Sequence, residues 1–220
     1  MRAVWALSQA VKREPSFRLT LTKNLPAGAG LGGGSADAAA VLWGLAQHWG
    51  IKNPLSMLEA LALPLGADVP VCLGCRPVRM RGIGEILTPV PMERELPAVL
   101  IWSGVSCPTP AVFRHFSGRF SPPESLPDTL DDVESLIAFL ASHDNDLTEA
   151  AKIIVPDIAA TLDALKNTQG CRLARMSGSG SACFGLYDDR LTAQNAAQII
   201  KHAHPTWWVQ TTMLNRPTRY

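Results

Sequence analysis

LPAGAGLGGGSADAAAVLWGL, residues 25–45, places five glycines in the seven positions 28–34 and then reads as a helix. Glycine loses more backbone freedom on folding than any other residue, so such a run needs a return. The first N–H groups of a helix have no intrahelical partner, and the helix dipole puts partial positive charge at the same end. Glycines let the main chain approach a bulky anion and adopt positive φ. A strand, a glycine turn and a helix start therefore predict a phosphate cradle. Ser35 is placed to cap the helix or to hold a phosphate-bound metal. The plainer alternative, a loop packed tightly under another element, suits this glycine density less well.

The flanks decide which phosphate loop this is. FRLTLTK (17–23) alternates Phe17, Leu19 and Leu21 with Arg18, Thr20 and Thr22, which predicts a strand with one buried face. A Walker loop needs Lys before its Ser, and Gly34 stands there. Gly28, Gly30 and Gly33 satisfy the dinucleotide pattern G-x-G-x-x-G. However, the half-polar strand before them is unlike a parallel strand buried on both faces. No acid sits at the ribose-binding spacing, and Glu59 is too distant.

Outward from the loop, residues 1–13 carry Val4, Trp5, Leu7 and Val11 at helical spacing. A helix over 35–49 presents Val41, Leu42, Leu45 and Trp49 to a core, and NPLSMLEALALPLG (53–66) is a short helix closed by Pro64 and Gly66. RGIGEILTPV (81–90) and ELPAVLIWSG (95–104) read as strands, and 119–130 as a Pro/Ser-rich loop. Helices are expected at 131–141, 146–153, 156–166 and 191–203. Strands are expected on either side of a glycine-serine turn in CRLARMSGSGSACFGLYD (171–188), and at TWWVQTTML (206–214). The second half thus suits a helix-backed antiparallel sheet of α+β type.

The 220 residues allow one large domain or two small ones, with 47% hydrophobic and 18% charged residues. A net charge of +1 gives no basic surface for nucleic acid. No apolar run is long enough to cross a bilayer, and residues 1–14 do not read as a signal peptide. Five scattered cysteines suggest a reduced, cytoplasmic protein. Cys72 and Cys75 form a C-x-x-C with no second pair to complete a zinc site, and are read as small apolar residues after a strand. The five histidines offer no metal set; His202 and His204 lie at or past a helix end.

LPAGAGLGGGSADAA resembles the second motif of the GHMP superfamily, the kinases of galactose, homoserine, mevalonate and phosphomevalonate. Its triple glycine and serine are most similar to the branch acting on a cytidine-diphosphate sugar alcohol of the non-mevalonate isoprenoid route. LGADVPVCL (65–73) resembles the family's catalytic segment, and GIGEILTPV (82–90) the strand after it. GVSCPTPAVF (104–113) looks like its substrate-side loop. NDL (145–147) and RMSGSGSACFGLY (175–187) look like its C-terminal glycine motif. Five blocks in order are hard to obtain by chance. The resemblance implies an α+β, two-domain GHMP-kinase fold. Residues 1–93 would form the ATP-binding domain, and 94–220 a C-terminal ferredoxin-like α/β sandwich.

The implied reaction moves the γ-phosphoryl group of ATP to a tertiary hydroxyl of the cytidine-diphosphate sugar alcohol. Pro26, Ala27, Gly28, Ala29, Gly30, Leu31, Gly32, Gly33, Gly34, Ser35 and Ala36 would cradle the triphosphate. Mg²⁺ would bridge its oxygens, with Ser35 a candidate hydroxyl beside it. Asp68 matches the catalytic aspartate, accepting or orienting the hydroxyl proton; read alone, it is an Asp in a turn before a strand. Ser177, Gly178, Ser179 and Gly180 would close on phosphates or substrate, although their composition also suits a plain hairpin turn. Phe113 matches the aromatic that lies against the cytosine ring, and Thr109 shares its loop.

The family's opening strand, with Lys followed by Asn and Leu, and its Asp-Gly-Tyr-His stretch do not occur here. Lys23-Asn24-Leu25 stands where the family has a different lysine. The resemblance therefore implies an N-terminal domain that is incomplete, and impaired activity of this chain alone. The alternatives are another GHMP small-molecule kinase or a non-catalytic nucleotide-binding module. The expected partner is a small molecule, with no nucleic acid and no membrane, the chain being a monomer or homodimer.

Overall fold

Val4 and Leu7 recur three apart on α1 (Arg2–Val11), and Leu42, Leu45 and Ala46 line the inner face of α2 (Gly33–His48). These stripes bury together with Leu58 and Ala62 of α3 (Leu55–Ala62) and Val69 and Leu73 of α4 (Val69–Gly74). Full burial of such a side chain stabilises the fold by about 1.5–3 kcal/mol. A single 3₁₀ turn, Leu63–Leu65, joins α3 to Gly66. β1 (Val78–Arg81) and β2 (Ile86–Pro89) follow as an antiparallel hairpin. The computed structural model describes residues 1–92, 94–122, 125–127, 130 and 132–215. Its described residues divide into two units, one of Met1–Asn24 with Gly32–Val90, the other of Leu25–Leu31 with those between Pro91 and Asn215. The glycine loop thus belongs, up to Leu31, with the C-terminal unit, unlike a division at residue 93.

The C-terminal unit is built on β3 (Leu96–Trp102), whose run of apolar residues reads as a strand buried on both faces. Helices α5 (Thr109–His115), α6 (Val133–Ala141), α7 (Thr148–Ile154) and α8 (Asp157–Lys166) follow. β4 (Cys171–Met176), β5 (Cys183–Tyr187), α9 (Arg190–Ala203) and β6 (Trp208–Leu214) complete it. The sheet order is β4-β5-β3-β6, every pair antiparallel, with Val99 opposite both Gly185 and Thr211. Two β-α-β units, β3 with β4 and β5 with β6, interleave so that one strand lies between the halves of each, which is the ferredoxin-like sandwich the resemblance implied. Helices α8 and α9 pack on the sheet over Val99, Ile101, Ile158, Leu165, Ala196 and Ile200. Tyr187 is buried there with its hydroxyl 2.8 Å from Thr168 Oγ1, so its one polar atom is satisfied.

Five readings are corrected. FRLTLTK (17–23) is not a strand: no described strand lies beside it to take its ladder bonds, and Leu19 and Leu21 are exposed. RGIGEILTPV is not one strand, since residues 82–85 turn the chain between β1 and β2. Cys72 and Cys75 do not follow a strand. Cys72 lies in α4 and Cys75 is its left-handed C-cap, because Pro70 at the helix start and Cys75 at its end frame one short helix. Ser35 does not cap α2: the helix starts two residues earlier, with Gly32 as its N-cap at φ 66°. Residues 109–115 of the expected substrate-side loop form helix α5, begun by Pro at its first turn.

Candidate active site

In the C-terminal unit the loop Leu25–Leu31 is tied to the glycine-serine nest after β4. Ala182 N donates to Ala29 O at 2.9 Å, and Ser177 Oγ donates to Gly30 O at 2.8 Å. A Cβ on Gly30, whose φ is 78°, would lie 2.5 Å from Gly180 O and 2.9 Å from Ser177 O. Only glycine allows that approach. The first and last glycine motifs, about 150 residues apart in sequence, therefore meet.

The nest is itself held from below. Asn145 Nδ2 donates to Met176 O at 3.0 Å and Gly178 O at 2.7 Å, while its Oδ1 accepts from Leu147 N at 3.0 Å. Ser181 is buried, accepts from Trp102 Nε1 at 2.9 Å and donates to Val105 O. Thr109 Oγ1 lies 2.6 Å from Ser179 Oγ, joining the start of α5 to the tip of the nest. Phe113 is exposed on α5. The reading by residue type missed Asn145, Trp102 and Ser181; Asn145 stood only inside the NDL block, whose spacing carries no sign of what it holds.

Asp146 and Arg175 frame the same region. Asp146 accepts from Ser121 Oγ at 2.5 Å and Ser121 N at 2.8 Å, and these bonds hold its carboxyl below the usual carboxylate range. Arg175 donates to the carbonyls of Leu140 and His143, and burial lowers its pKa, with Asp144 opposing.

In the N-terminal unit the amides of Gly33, Gly34 and Ser35 precede the first bond of α2, from Ala36 N to Gly32 O at 3.0 Å. Cβ atoms built on Gly32 and Gly34 would meet nothing within 4 Å, so open space lies over this helix start. Lys23 Nζ and Asp37 Oδ2 pair at 2.5 Å beside it. Ser35 Oγ lies 3.8 Å from where a Gly66 Cβ would stand, which brings the α2 start against the segment leading to Asp68.

Asp68 is the N-cap residue of α4, the usual place for an Asp to bond its own helix. Asp132 and Asp189 do that for α6 and α9, accepting from Ser135 N and Thr192 N. Asp68 does not: its φ and ψ are helical (−84°, −10°), and its exposed carboxylate caps nothing. Its charge is felt one turn on, where burial first and Asp68 second push the Cys72 thiol up to about 11. Among the described residues no group of three His, Cys, Asp or Glu side chains is placed to hold a metal ion. Mg²⁺ held mainly by phosphate oxygens needs only one or two protein oxygens, and Ser35 and Asp68 are of that kind.

A glycine loop, a helix start and a ferredoxin-like sandwich define a class of phosphate-handling enzymes, and two family models match the chain. One is the GHMP kinases N terminal domain over residues 1–75, the other the GHMP kinases C terminal over 128–205. The chain belongs to the GHMP kinases and is an ATP-dependent small-molecule kinase. Two similar curated relatives and one solved structure are of one kind within that family. The 4-diphosphocytidyl-2-C-methyl-D-erythritol kinase of Cereibacter sphaeroides is 52% identical over 198 residues, which is 87% of this chain and 69% of the relative. That of Paramagnetospirillum magneticum is 43% identical over 214 residues, 97% and 75% of the two chains. A crystal structure of 4-(cytidine 5'-diphospho)-2C-methyl-D-erythritol kinase superposes with a TM-score of 0.74 at 35% identity, over 96% of this chain and 76% of that one. The homoserine kinase of Cytophaga hutchinsonii, at 18% identity and a TM-score of 0.69 over 96% of this chain and 74% of its own, shares the fold. No described helix is long and apolar enough to cross a membrane.

Proposed function

We propose that the chain transfers the γ-phosphoryl group of ATP to the 2-hydroxyl of 4-diphosphocytidyl-2-C-methyl-D-erythritol, in the isoprenoid route that bypasses mevalonate. The chemistry rests on one observation above others: Asp68 stands at a helix N-cap with its carboxylate exposed and, among the described residues, without a hydrogen-bond partner. A carboxylate not engaged by its own helix is available to orient an acceptor hydroxyl and take its proton as the phosphoryl group moves. The substrate rests on the 52% identity to a kinase of that name.

Within this reading Pro26–Ala36 binds the triphosphate through main-chain amides, and the α2 dipole favours its charge. Mg²⁺ would neutralise the phosphate oxygens, with Ser35 the candidate hydroxyl ligand. Ser177, Gly178, Ser179 and Gly180, with Thr109, line the substrate side, and Phe113 offers its face to the cytosine ring. Residues 1–93 form the ATP-binding domain and 94–220 the C-terminal domain. The five free cysteines suit a reduced cytoplasm, and the chain acts as a monomer or homodimer.

The test is a substrate panel with ATP and Mg²⁺. ADP release with 4-diphosphocytidyl-2-C-methyl-D-erythritol, and not with homoserine or mevalonate, is expected. Transfer to one of those alcohols instead would make it a different GHMP kinase. Nucleotide binding without transfer to any alcohol would make it a binding module.

A further inference from the structure

Residues 82–85 turn the chain from β1 to β2, and at Gly84 the backbone takes φ 108°. A Cβ there would stand 2.5 Å from Ala67 O and 3.1 Å from the Ala67 carbonyl carbon. The turn therefore rests directly on the peptide that leads into Asp68. Only glycine permits this, by conformation and by space. Across the segment, Gly66 lies against Ser35 of α2. Glu85 gives the turn its shape by accepting from Ile83 N at 2.6 Å. Among the described residues none hydrogen-bonds to the Asp68 carboxylate to aim it, so its direction comes from the backbone that carries it.

We propose that the turn 82–85, through Gly84 against Ala67, is a positioning element that sets the Asp68 carboxylate for phosphoryl transfer. The proposal rests on the assignment of Asp68 made above. If the turn served stability alone, disturbing it would lower the melting temperature and leave the turnover of folded protein unchanged. If it aims Asp68, turnover falls while nucleotide affinity holds, because misplacing a reacting group by about 1 Å costs roughly a hundredfold in rate.

The experiment measures kcat, KM for ATP and melting temperature for Gly84→Ala, Gly50→Ala, Asp68→Asn and the double variant Asp68→Asn/Gly84→Ala. Gly50 has φ 64° with open space around it, so Gly50→Ala brings similar backbone strain without a neighbour. The expected result is a roughly tenfold to hundredfold loss of kcat in Gly84→Ala, at an ATP KM within about twofold. Gly50→Ala keeps kcat, and the double variant is no slower than Asp68→Asn alone. Unchanged kcat in Gly84→Ala, or losses that multiply in the double variant, would overturn the proposal. If Gly84→Ala does not fold, Glu85→Ala carries the test. Its kcat should fall by about threefold or more and be restored by Glu85→Gln, which keeps an acceptor for Ile83 N; an unchanged kcat in Glu85→Ala overturns the proposal. Full activity in Asp68→Asn is a separate result, removing the assignment of Asp68 and the positioning role with it.

Discussion

The two units place their candidate residues in opposite ways. In the C-terminal unit nearly every one is committed: Ser177 to Gly30, Thr109 to Ser179, Asn145 to Met176 and Gly178, Ser181 to Trp102 and Val105. These side chains hold a loop in shape, and the sheet beneath gives them fixed anchor points. In the N-terminal unit Asp68 caps no helix, and the space over Gly32 and Gly34 is open. The difference separates groups that build a binding surface from one left available to react.

The largest effect expected tests that separation directly. Asp68→Asn should cut kcat by about 10²–10⁴-fold, the usual worth of a positioned acid or base. Stability should move by less than about 0.5 kcal/mol, since the carboxylate is exposed. A large shift in melting temperature would instead make Asp68 structural, like Asp132 and Asp189.

Next come the cores. Ile101→Ala in the sheet and Leu42→Ala among the helices should each cost about 2–5 kcal/mol in denaturant unfolding, because both are fully buried. Leu21→Ala, in the segment that reads as a strand and is none, should cost less than about 0.5 kcal/mol. An Ile101-sized loss at Leu21 would show that 17–23 has a packing partner in solution.

Asn145→Ala should cost about 1–3 kcal/mol by stripping two carbonyls of their donor, and should raise KM for ATP or alcohol more than it lowers kcat. An equal loss in kcat with KM unchanged would move Asn145 into the chemistry.

The smallest effect is set by pH. Asp146 is held below the ordinary carboxylate pKa by Ser121, so its contribution is present above that ordinary value, near 3.9, and is lost as pH falls through the lowered one. The protection factor of the Ser121 amide, its exchange rate set against the intrinsic rate at the same pH, should therefore fall in acid, and in Asp146→Ala at neutral pH. An unchanged protection factor at Ser121 in acid would show that other contacts hold that loop.

FRLTLTK and LPAVLIW show how far sequence could be read. Both look like strands, one by alternation and one by continuous apolar residues. LPAVLIW became the central β3, paired on both edges, whereas FRLTLTK has no described partner. A pattern of side chains states which faces want burial; the ladder bonds that make a strand belong to two segments at once. Helix α4 escaped notice because six residues hold too little periodicity, and proline and cysteine obscure it.

The glycine density before α2, the order of the motifs and the helix stripes were legible in the sequence alone, because backbone freedom and apolar spacing are local properties. Sequence also singled out Asp68 and the nest at 177–180 by residue type and resemblance. The junction of Gly30 with Ser177 and Gly180, Asn145 beneath the nest, and the exposed carboxylate of an aspartate that stands at an N-cap position without capping appeared only in the folded chain. The first two depend on hydrogen bonds and close approaches between residues distant in sequence, and the third on a backbone conformation that residue type does not give.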